Sequence, residues 1–298
     1  AAARIMKAFY FLRMTDIWGD IPYSEALKGS ATAANNTGQN NTAIGYQSML
    51  SNSTGYNNIS VGSFSMLSNT TGAENIAIGR GALTANTSGG QNIALGTNAI
   101  SSNTSGQRNV GIGLQSLQKN TTGISNVGIS TGSLNNNITG SNNIAIGDNS
   151  MSKNTTGNSN VSIGIQALYN NLKGSNKVAI GSFALQNDTI SDNIAIGYFA
   201  LNRNTSGANN TAVGSNSLGL NTTGYYNSAF GWGALNGNTT GSENTAIGQH
   251  SMATNSTGSN NTALGRVASH WNKTGSRNTA IGSGALFSNY FGSSNTGI

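Results

Sequence analysis

The pattern of apolar and polar positions follows a seventeen-residue repeat that occurs fifteen times between residues 41 and 298. The first copy is NTAIGYQSMLSNSTGYN, residues 41–57. When each copy is numbered from its leading residue, position 4 is always apolar, position 3 is Ala, Ser or Gly, and position 2 is mostly β-branched. Self-similarity at a short fixed period is typical of a stacked, quasi-one-dimensional fold. The pattern therefore predicts an all-β, parallel β-solenoid or β-roll of fifteen 17-residue repeats.

Positions 2 to 4 are expected to form a short strand, because β-branched residues favour strands. These positions do not alternate with polar residues, which is typical of a strand covered on both faces, so we expect chains to associate. Position 9, Met or Leu in most copies, is expected to supply a second strand and a second large core residue. The predicted structural core at position 4 includes Ile44, Ile78, Ile112, Ile146, Ile180, Ile196, Ile247 and Ile281.

Asparagine is repeated as strictly as the apolar residues. Fourteen of the fifteen copies begin with Asn, Lys177 being the exception, and position 12 is Asn except for Asp188. The copy that begins at Lys177 is also one residue short. Asn favours turns, and its amide can bond to the same amide of the next copy. The sequence thus predicts an asparagine ladder that includes Asn41, Asn58, Asn75, Asn92 and Asn109.

The first thirty residues do not follow the repeat. Ile5, Phe9 and Leu12 lie at helical spacing, and Pro22 blocks continuation, so a helix is predicted over about residues 2–14. We therefore divide the chain into an N-terminal helical segment or cap (1–30), a junction (31–40) and the repeat β-roll (41–298), which we expect to be truncated within a sixteenth repeat.

Residues 3–27, and above all FYFLRMTDIWGDIPYSEAL, resemble part of the SusD/RagB family of outer-membrane nutrient-binding lipoproteins. The resemblance centres on the turn formed by residues 18–23. It implies, as one alternative, that the chain is a fragment of a SusD-like glycan-uptake protein. It assigns no binding residue.

The repeat core Asn-x-Ala-Ile-Gly-x-x-Ala-Leu, present at residues 193–201 and 278–286, resembles the head repeats of YadA-type trimeric autotransporter adhesins. It is equally similar to phage tail-fibre proteins with NTAIGYxAL-type repeats. The resemblance implies a left-handed parallel β-roll, a homotrimer, and cell adhesion through a cell-surface receptor or glycan. It also implies an extracellular location, either on a bacterial cell surface and anchored in the outer membrane, or in a phage virion. Adhesin head and tail-fibre shaft remain alternatives.

The composition limits the possible partners. Charged residues make up 7% of the chain, and the formal net charge of +6 comes from scattered single residues. Nucleic-acid binders concentrate basic residues on one face, so no nucleic-acid partner is expected. The chain has no cysteine, which excludes thiolate metal ligands. No apolar run approaches the roughly 20 residues of a membrane-spanning helix.

Catalytic groups do not converge in the sequence. His250 and His270 lie at different repeat positions, and Asp188 and Asp192 are the one close pair of carboxylates in the array. No Ser/His/Asp set recurs. We therefore expect no enzyme activity, no catalytic residue, no cofactor and no metal site.

Aromatic residues gather late in the chain, where flat rings suit either sugar stacking or subunit packing. The candidate ligand contacts are Tyr225, Tyr226, Trp232, Trp271 and Tyr290. An alternative function is a monomeric solenoid that binds ice or polysaccharide through columns of Thr and Asn. Position 2 changes between Thr and Ile or Val, as at Thr42 and Ile76, so no unbroken Thr array is expected.

Overall fold

The computed structural model describes residues 37–298, which form a parallel β-solenoid of about fifteen coils. These residues contain no helix, and each copy of the repeat contributes one short strand. The all-β parallel solenoid predicted from the repeat is therefore confirmed. The helix predicted near residues 2–14, and the N-terminal segment 1–30 as a whole, lie outside the described residues.

The first of two compact units comprises residues 37–132 and 137–139 within the described range. Its strands pair in parallel with their neighbours in chain order, with a register of one repeat, as where Ala43 lies opposite Ser60. The strands are β1 (Thr42–Ile44), β2 (Ile59–Val61), β3 (Ile76–Ile78), β4 (Ile93–Leu95), β5 (Val110–Ile112) and β6 (Val127–Ile129).

The second unit comprises residues 133–136 and 140–298 and repeats the same coil. Its neighbouring strands are also parallel and in register, and the one-residue deletion leaves the strand pairing intact, with Ala179 opposite Ala195. The strands are β7 (Ile144–Ile146), β8 (Val161–Ile163), β9 (Val178–Ile180), β10 (Ile194–Ile196), β11 (Thr211–Val213), β12 (Ser228–Phe230), β13 (Thr245–Ile247), β14 (Thr262–Leu264), β15 (Thr279–Ile281) and β16 (Thr296–Gly297).

A glycine follows each of the strands β1 to β15 except β6, where Ser130 takes its place, and there are two physical reasons for it. Gly62 follows β2 with φ at 134°, a conformation that residues with a side chain rarely adopt. A Cβ at Gly62 would also lie 2.6 Å from the carbonyl oxygen of Gly79 in the next coil. The glycine thus lets the chain turn and lets successive coils approach closely.

The inner face of each strand carries only small residues. Ala77 and Ala94, at position 3, are completely buried. Gly111 holds the same position, and a Cβ there would lie 2.5 Å from Cγ1 of Ile100, the position-9 residue of the preceding copy. The position-9 side chains therefore fill the interior and leave room for nothing larger than a small residue beside them.

The predicted core at position 4 is wrong for the single chain. Successive side chains of a strand point to opposite faces, so burial of position 3 turns positions 2 and 4 outward. Ile44 is 48% exposed and Ile78 is 44% exposed. The remaining members of the predicted set are also exposed or only half-buried: Ile112, Ile146, Ile180, Ile196, Ile247 and Ile281.

Position 9 is a core position, as predicted, but it does not lie on a second strand. Met66 and Leu83 are completely buried, with φ at 47° and 50°, in a turn. The backbone N–H of Leu83 still donates to the carbonyl oxygen of Ala99 in the next coil, at 3.1 Å. A left-handed turn thus stacks on its neighbour through inter-coil hydrogen bonds without becoming an extended strand.

Candidate functional site

The predicted asparagine ladder is present and lies inside the coil. Asn58 Nδ2 donates to Asn41 Oδ1 at 3.1 Å, and Asn75 Nδ2 donates to Asn58 Oδ1 at 3.1 Å. The same contact continues through Asn92 and Asn109, at 3.1 and 3.2 Å. From Asn58 to Asn109 these side chains are completely buried. They satisfy backbone groups and each other, as buried amides must, and are not available to an external ligand.

A second ladder runs through position 12. Asn69 Nδ2 donates to Asn52 Oδ1 at 2.8 Å, and it also donates to the carbonyl oxygen of Gly72 at 3.0 Å. The same carbonyl accepts a hydrogen bond from Asn58 Nδ2 of the first ladder at 2.9 Å. One glycine carbonyl therefore joins the two ladders in each regular coil.

The two ladders are altered together in the copy that begins at Lys177. Lys177 Nζ lies 3.1 Å from Asp188 Oδ2, and both side chains are completely buried. The Lys177 ammonium also donates to Asn171 Oδ1 at 2.9 Å. In a regular coil the position-12 Oδ1 accepts instead from the side-chain amide of the next position-12 Asn, as Asn154 Oδ1 accepts from Asn171 Nδ2. Lys177 and Asp188 thus replace two asparagines with one buried ion pair.

Hydrogen bonds surround Asp188 on its other sides. Asn193 Nδ2 donates to its Oδ2 at 3.1 Å and Asn204 Nδ2 to its Oδ1 at 2.9 Å. Burial raises the pKa of the Asp188 carboxyl, although Lys177 and the hydrogen bonds from Asn193 and from the backbone N–H of Ile190 act against the rise. Burial likewise lowers the pKa of Lys177, against the opposing charge of Asp188. The low dielectric of the interior therefore favours the neutral forms of both groups.

The side chains at positions 2 and 4 of the strands form an exposed, largely apolar surface, which we call the outer sheet face. In the first unit it includes Ile44, Ile59 and Ile78, and in the second Ile194, Ile196 and Phe230, all exposed. In each unit this face carries a row of mainly β-branched side chains. An exposed apolar strip of this kind is typical of an interaction surface.

An unbroken threonine column occupies one part of the outer sheet face. Thr245 lies opposite Thr262, Thr262 opposite Thr279, and Thr279 opposite Thr296. The expectation that no unbroken Thr array exists is therefore wrong for β13 to β16. The asparagines proposed to bind a surface beside such a column are buried instead.

Three of the five candidate aromatic residues come together in the second unit. Trp232 contacts His250 at a centroid distance of 4.3 Å, and Trp271 contacts Tyr290 at 6.4 Å. His270 lies between these pairs, 5.9 Å from His250 and 4.8 Å from Trp271. We call these five residues the aromatic ridge.

Tyr225 and Tyr226 pair with each other at 5.5 Å instead, and both are exposed. The two histidines of the ridge were not predicted to belong to a site, because they lie at different repeat positions. His250 lies at position 7, one place from the position of Trp232 in the preceding copy, and this alignment in neighbouring coils is the signal that could have identified the contact.

The two histidines of the ridge are joined by a contact between a ring nitrogen and a backbone carbonyl. His270 Nδ1 lies 3.1 Å from the carbonyl oxygen of His250. A carbonyl only accepts, so Nδ1 of His270 carries a proton in this contact. Partial burial lowers the pKa of His250, with smaller contributions from the charges of His270 and Arg266. The ridge thus presents aromatic edges and faces together with polar nitrogen atoms, which suits a polyhydroxylated ligand.

Residues 37–298 contain no group of three or more His, Asp and Glu side chains that could hold a metal ion. Within the same range, no helix is long and apolar enough to cross a membrane.

Comparison with known families gives one match, at the N-terminal end. Residues 1–62 match the sequence model of a SusD-like family described as starch-binding and associating with the outer membrane. The match covers about a fifth of the chain and reaches beyond the SusD-like stretch into the first repeats, where the structure has β1 and β2. No curated protein matches the chain.

Proposed function

We propose that this chain is a non-enzymatic, extracellular structural protein that mediates attachment, as an adhesin head or a fibre shaft. The observation that carries the proposal is the outer sheet face, which leaves apolar side chains in contact with water in coil after coil. A second copy of the chain offers the same strip at the same spacing. The outer sheet face of a second copy could therefore bury these apolar side chains with matching spacing.

The magnitudes favour association of several chains. Full burial of a Val, Leu or Ile side chain stabilises by about 1.5–3 kcal/mol. Association costs about 4–15 kcal/mol in lost translational and rotational freedom. A few coils that bury both outer positions would offset that cost, and about fifteen coils offer such positions. We propose a homotrimer, in which three outer sheet faces cover one another around a common axis.

The attachment surface in this proposal comprises the aromatic ridge and the exposed pair Tyr225 and Tyr226, and its ligand is a cell-surface receptor or glycan. Rings exposed on a repetitive scaffold favour many weak contacts, which add through avidity when several chains are joined. The outer-membrane description of the SusD-like family favours a bacterial cell surface over a phage virion for this chain.

The oligomeric state tests the proposal directly. We expect light scattering after size exclusion to give the mass of three full-length chains. Ile196→Lys with Ile247→Lys should yield monomers, because each places a charge on the outer sheet face. The matched control is Ile138→Lys with Ile165→Lys, at exposed apolar residues off the strands, which should leave the trimer intact. A monomeric wild-type chain with a β-rich circular dichroism spectrum would contradict the proposal.

A second candidate is a single-chain solenoid that binds ice or polysaccharide, favoured by the threonine column of β13 to β16. This candidate requires that the chain be a monomer and that it show either thermal hysteresis or retention on polysaccharide. Thr262→Lys should abolish whichever of these two activities is found. Absence of both activities in a monomeric chain would dispose of it.

A third candidate is a fragment of a SusD-like glycan-uptake protein, favoured by the family match over residues 1–62. Starch binding by the full chain that is lost on removal of residues 1–36 would support it. Unchanged binding after that removal would contradict it.

A further inference from the structure

The buried pair at the one-residue deletion brings together three groups that can react with one another. Lys177 supplies an amine, Asn171 a carboxamide and Asp188 a carboxyl group, and all three side chains are completely buried. Nζ of Lys177 lies 2.9 Å from Asn171 Oδ1 and 3.1 Å from Asp188 Oδ2. We propose that Lys177 and Asn171 become joined by an amide bond from Nζ to Cγ, with Asp188 as the acid and base that moves the protons.

The distances place the nucleophile close to the carbon that it must attack. Because the Oδ1–Cγ bond is about 1.23 Å long, Nζ of Lys177 is at most about 4.1 Å from Cγ of Asn171. Near-attack geometries have reacting atoms about 3–3.5 Å apart. A Cβ on Gly174 would lie 2.6 Å from Nζ and 2.7 Å from Oδ1, so the absence of a side chain at Gly174 leaves the space that both reacting groups occupy.

The regular coils lack this chemistry. In a regular coil the donor to a position-12 Oδ1 is the amide nitrogen of the next asparagine, as where Asn171 Nδ2 donates to Asn154 Oδ1 at 2.9 Å. The side-chain amide nitrogen of asparagine is a much weaker nucleophile than an amine, because its lone pair is delocalised into the carbonyl group. Lys177 puts an amine nitrogen in that place, and Asp188 puts an acid beside it. The two exceptions to the repeat therefore supply the nucleophile and the proton carrier together.

The proton balance closes without any other reagent. Asp188 first takes a proton from the Lys177 ammonium, which gives a neutral amine and a carboxylic acid. The lone pair of Nζ forms the bond to Cγ of Asn171, and the carbonyl π electrons move to Oδ1. Asp188 gives its proton to Nδ2 and takes one from Nζ. The carbonyl then re-forms, the Cγ–Nδ2 bond breaks, and ammonia leaves with that electron pair.

The electrostatics of the site favour the first step. Burial lowers the pKa of Lys177 and raises the pKa of Asp188, so transfer of a proton within the pair gives two neutral groups in a low dielectric. The reaction has no external co-reactant, and its one small product is ammonia. It requires the folded coil, because only the fold brings the three side chains together.

Intact-mass spectrometry of the full chain tests the proposal. We expect the folded protein to be lighter than its sequence by one ammonia. Trypsin should release residues 154–173 joined to residues 174–203, with no cut after Lys177. A cyclic imide at an asparagine also loses ammonia, but it stays within one peptide and so does not give this branched product.

Matched variants distinguish the proposed bond from its alternatives. Asp188→Asn keeps the amine and the carboxamide but removes the acid, and it should retain the full sequence mass. Lys177→Asn with Asp188→Asn restores the asparagine at both ladder positions of this copy and serves as the folded reference by circular dichroism. Lys153, whose Nζ donates to Asn170 Oδ1 at 2.9 Å on the exposed surface, is an internal control and should remain unlinked.

Two outcomes would overturn the proposal. One is a folded wild-type chain with its full sequence mass. The other is the loss of one water with a link between Lys177 and Asp188, which would make the carboxyl the electrophile.

Discussion

The inner and outer faces of the strands show opposite relations between residue type and burial. The inner face carries alanine, glycine and serine and is completely buried, as at Ala94 and Ser60. The outer face carries isoleucine, valine and threonine and is largely exposed, as at Ile78. The interior is narrow because the position-9 side chains and the asparagine ladders already fill it. Available volume, and not hydrophobicity alone, therefore decides which face is turned inward.

The largest effect is expected where a ladder amide is removed. In Asn75→Ala the buried backbone N–H of Asn92 loses its 2.9 Å bond to Asn75 Oδ1, and Asn75 Nδ2 no longer serves Gly89 and Asn58. One orphaned buried donor costs about 1–3 kcal/mol and each further lost bond about 1 kcal/mol, so the free energy of unfolding should fall by about 3 kcal/mol or more. Denaturant unfolding followed by circular dichroism measures this.

The matched control for the ladder is Asn158→Ala. Asn158 is exposed, so water can replace the bonds that its side chain makes. Equal losses of stability in the two variants would mean that the buried ladder is no more important than a surface amide.

The next effect tests the claim that volume limits the inner face. Ala94→Leu should cost about 1–3 kcal/mol, because extra methylene groups must displace the position-9 side chains. Ala94→Ser should be tolerated, since Ser162 occupies the same position while buried and donates to the carbonyl oxygen of Ala167 at 2.8 Å. If leucine proved as stable as alanine in thermal unfolding, the interior would not be limited by volume.

The sequence predicted the parts of the fold that follow from strict repetition. The fixed period predicted the parallel stacking of coils, and the asparagine columns predicted the ladders. Met or Leu at position 9 correctly predicted a core position, as at Leu83. Position 4 was assigned to the wrong side, because positions 2 and 4 are large and apolar while position 3 is small. Residue size suggests that the large apolar residues at positions 2 and 4 are buried, whereas in the structure the small residue at position 3 is the buried one.

Other features depend on contacts that a repeat pattern does not contain. The turn at position 9 uses left-handed backbone conformations at Met and Leu, which their propensities do not predict. The ion pair between Lys177 and Asp188 depends on the adjacency of the two ladders inside one coil. Lys177 and Asp188, the two departures from the asparagine columns, nevertheless fall in the same copy, and the sequence alone shows this.

A smaller effect on the single chain is expected at the outer face. Ile78→Thr keeps a β-branched side chain on an exposed position, so the unfolding free energy of the monomer should change by no more than about 0.5 kcal/mol. If the outer sheet face joins chains, the same change should weaken association and make the apparent melting temperature more dependent on protein concentration. Dilution series of wild type and variant, followed by light scattering, measure the difference. Unchanged association would argue against this part of the face as the interface.

The smallest effect concerns pH and the aromatic ridge. The pKa of His250 is lowered from 6.5 by partial burial, then by the charges of His270 and Arg266, and its ring lies against Trp232. A lowered folded pKa means that the unfolded chain binds the proton first. His250 therefore contributes stability that is present above pH 6.5 and is lost as the pH falls through its folded pKa. Melting temperatures on both sides of that range should show a steeper decline in the wild type than in His250→Gln. Identical pH profiles would mean that the ridge does not hold His250 in its neutral form.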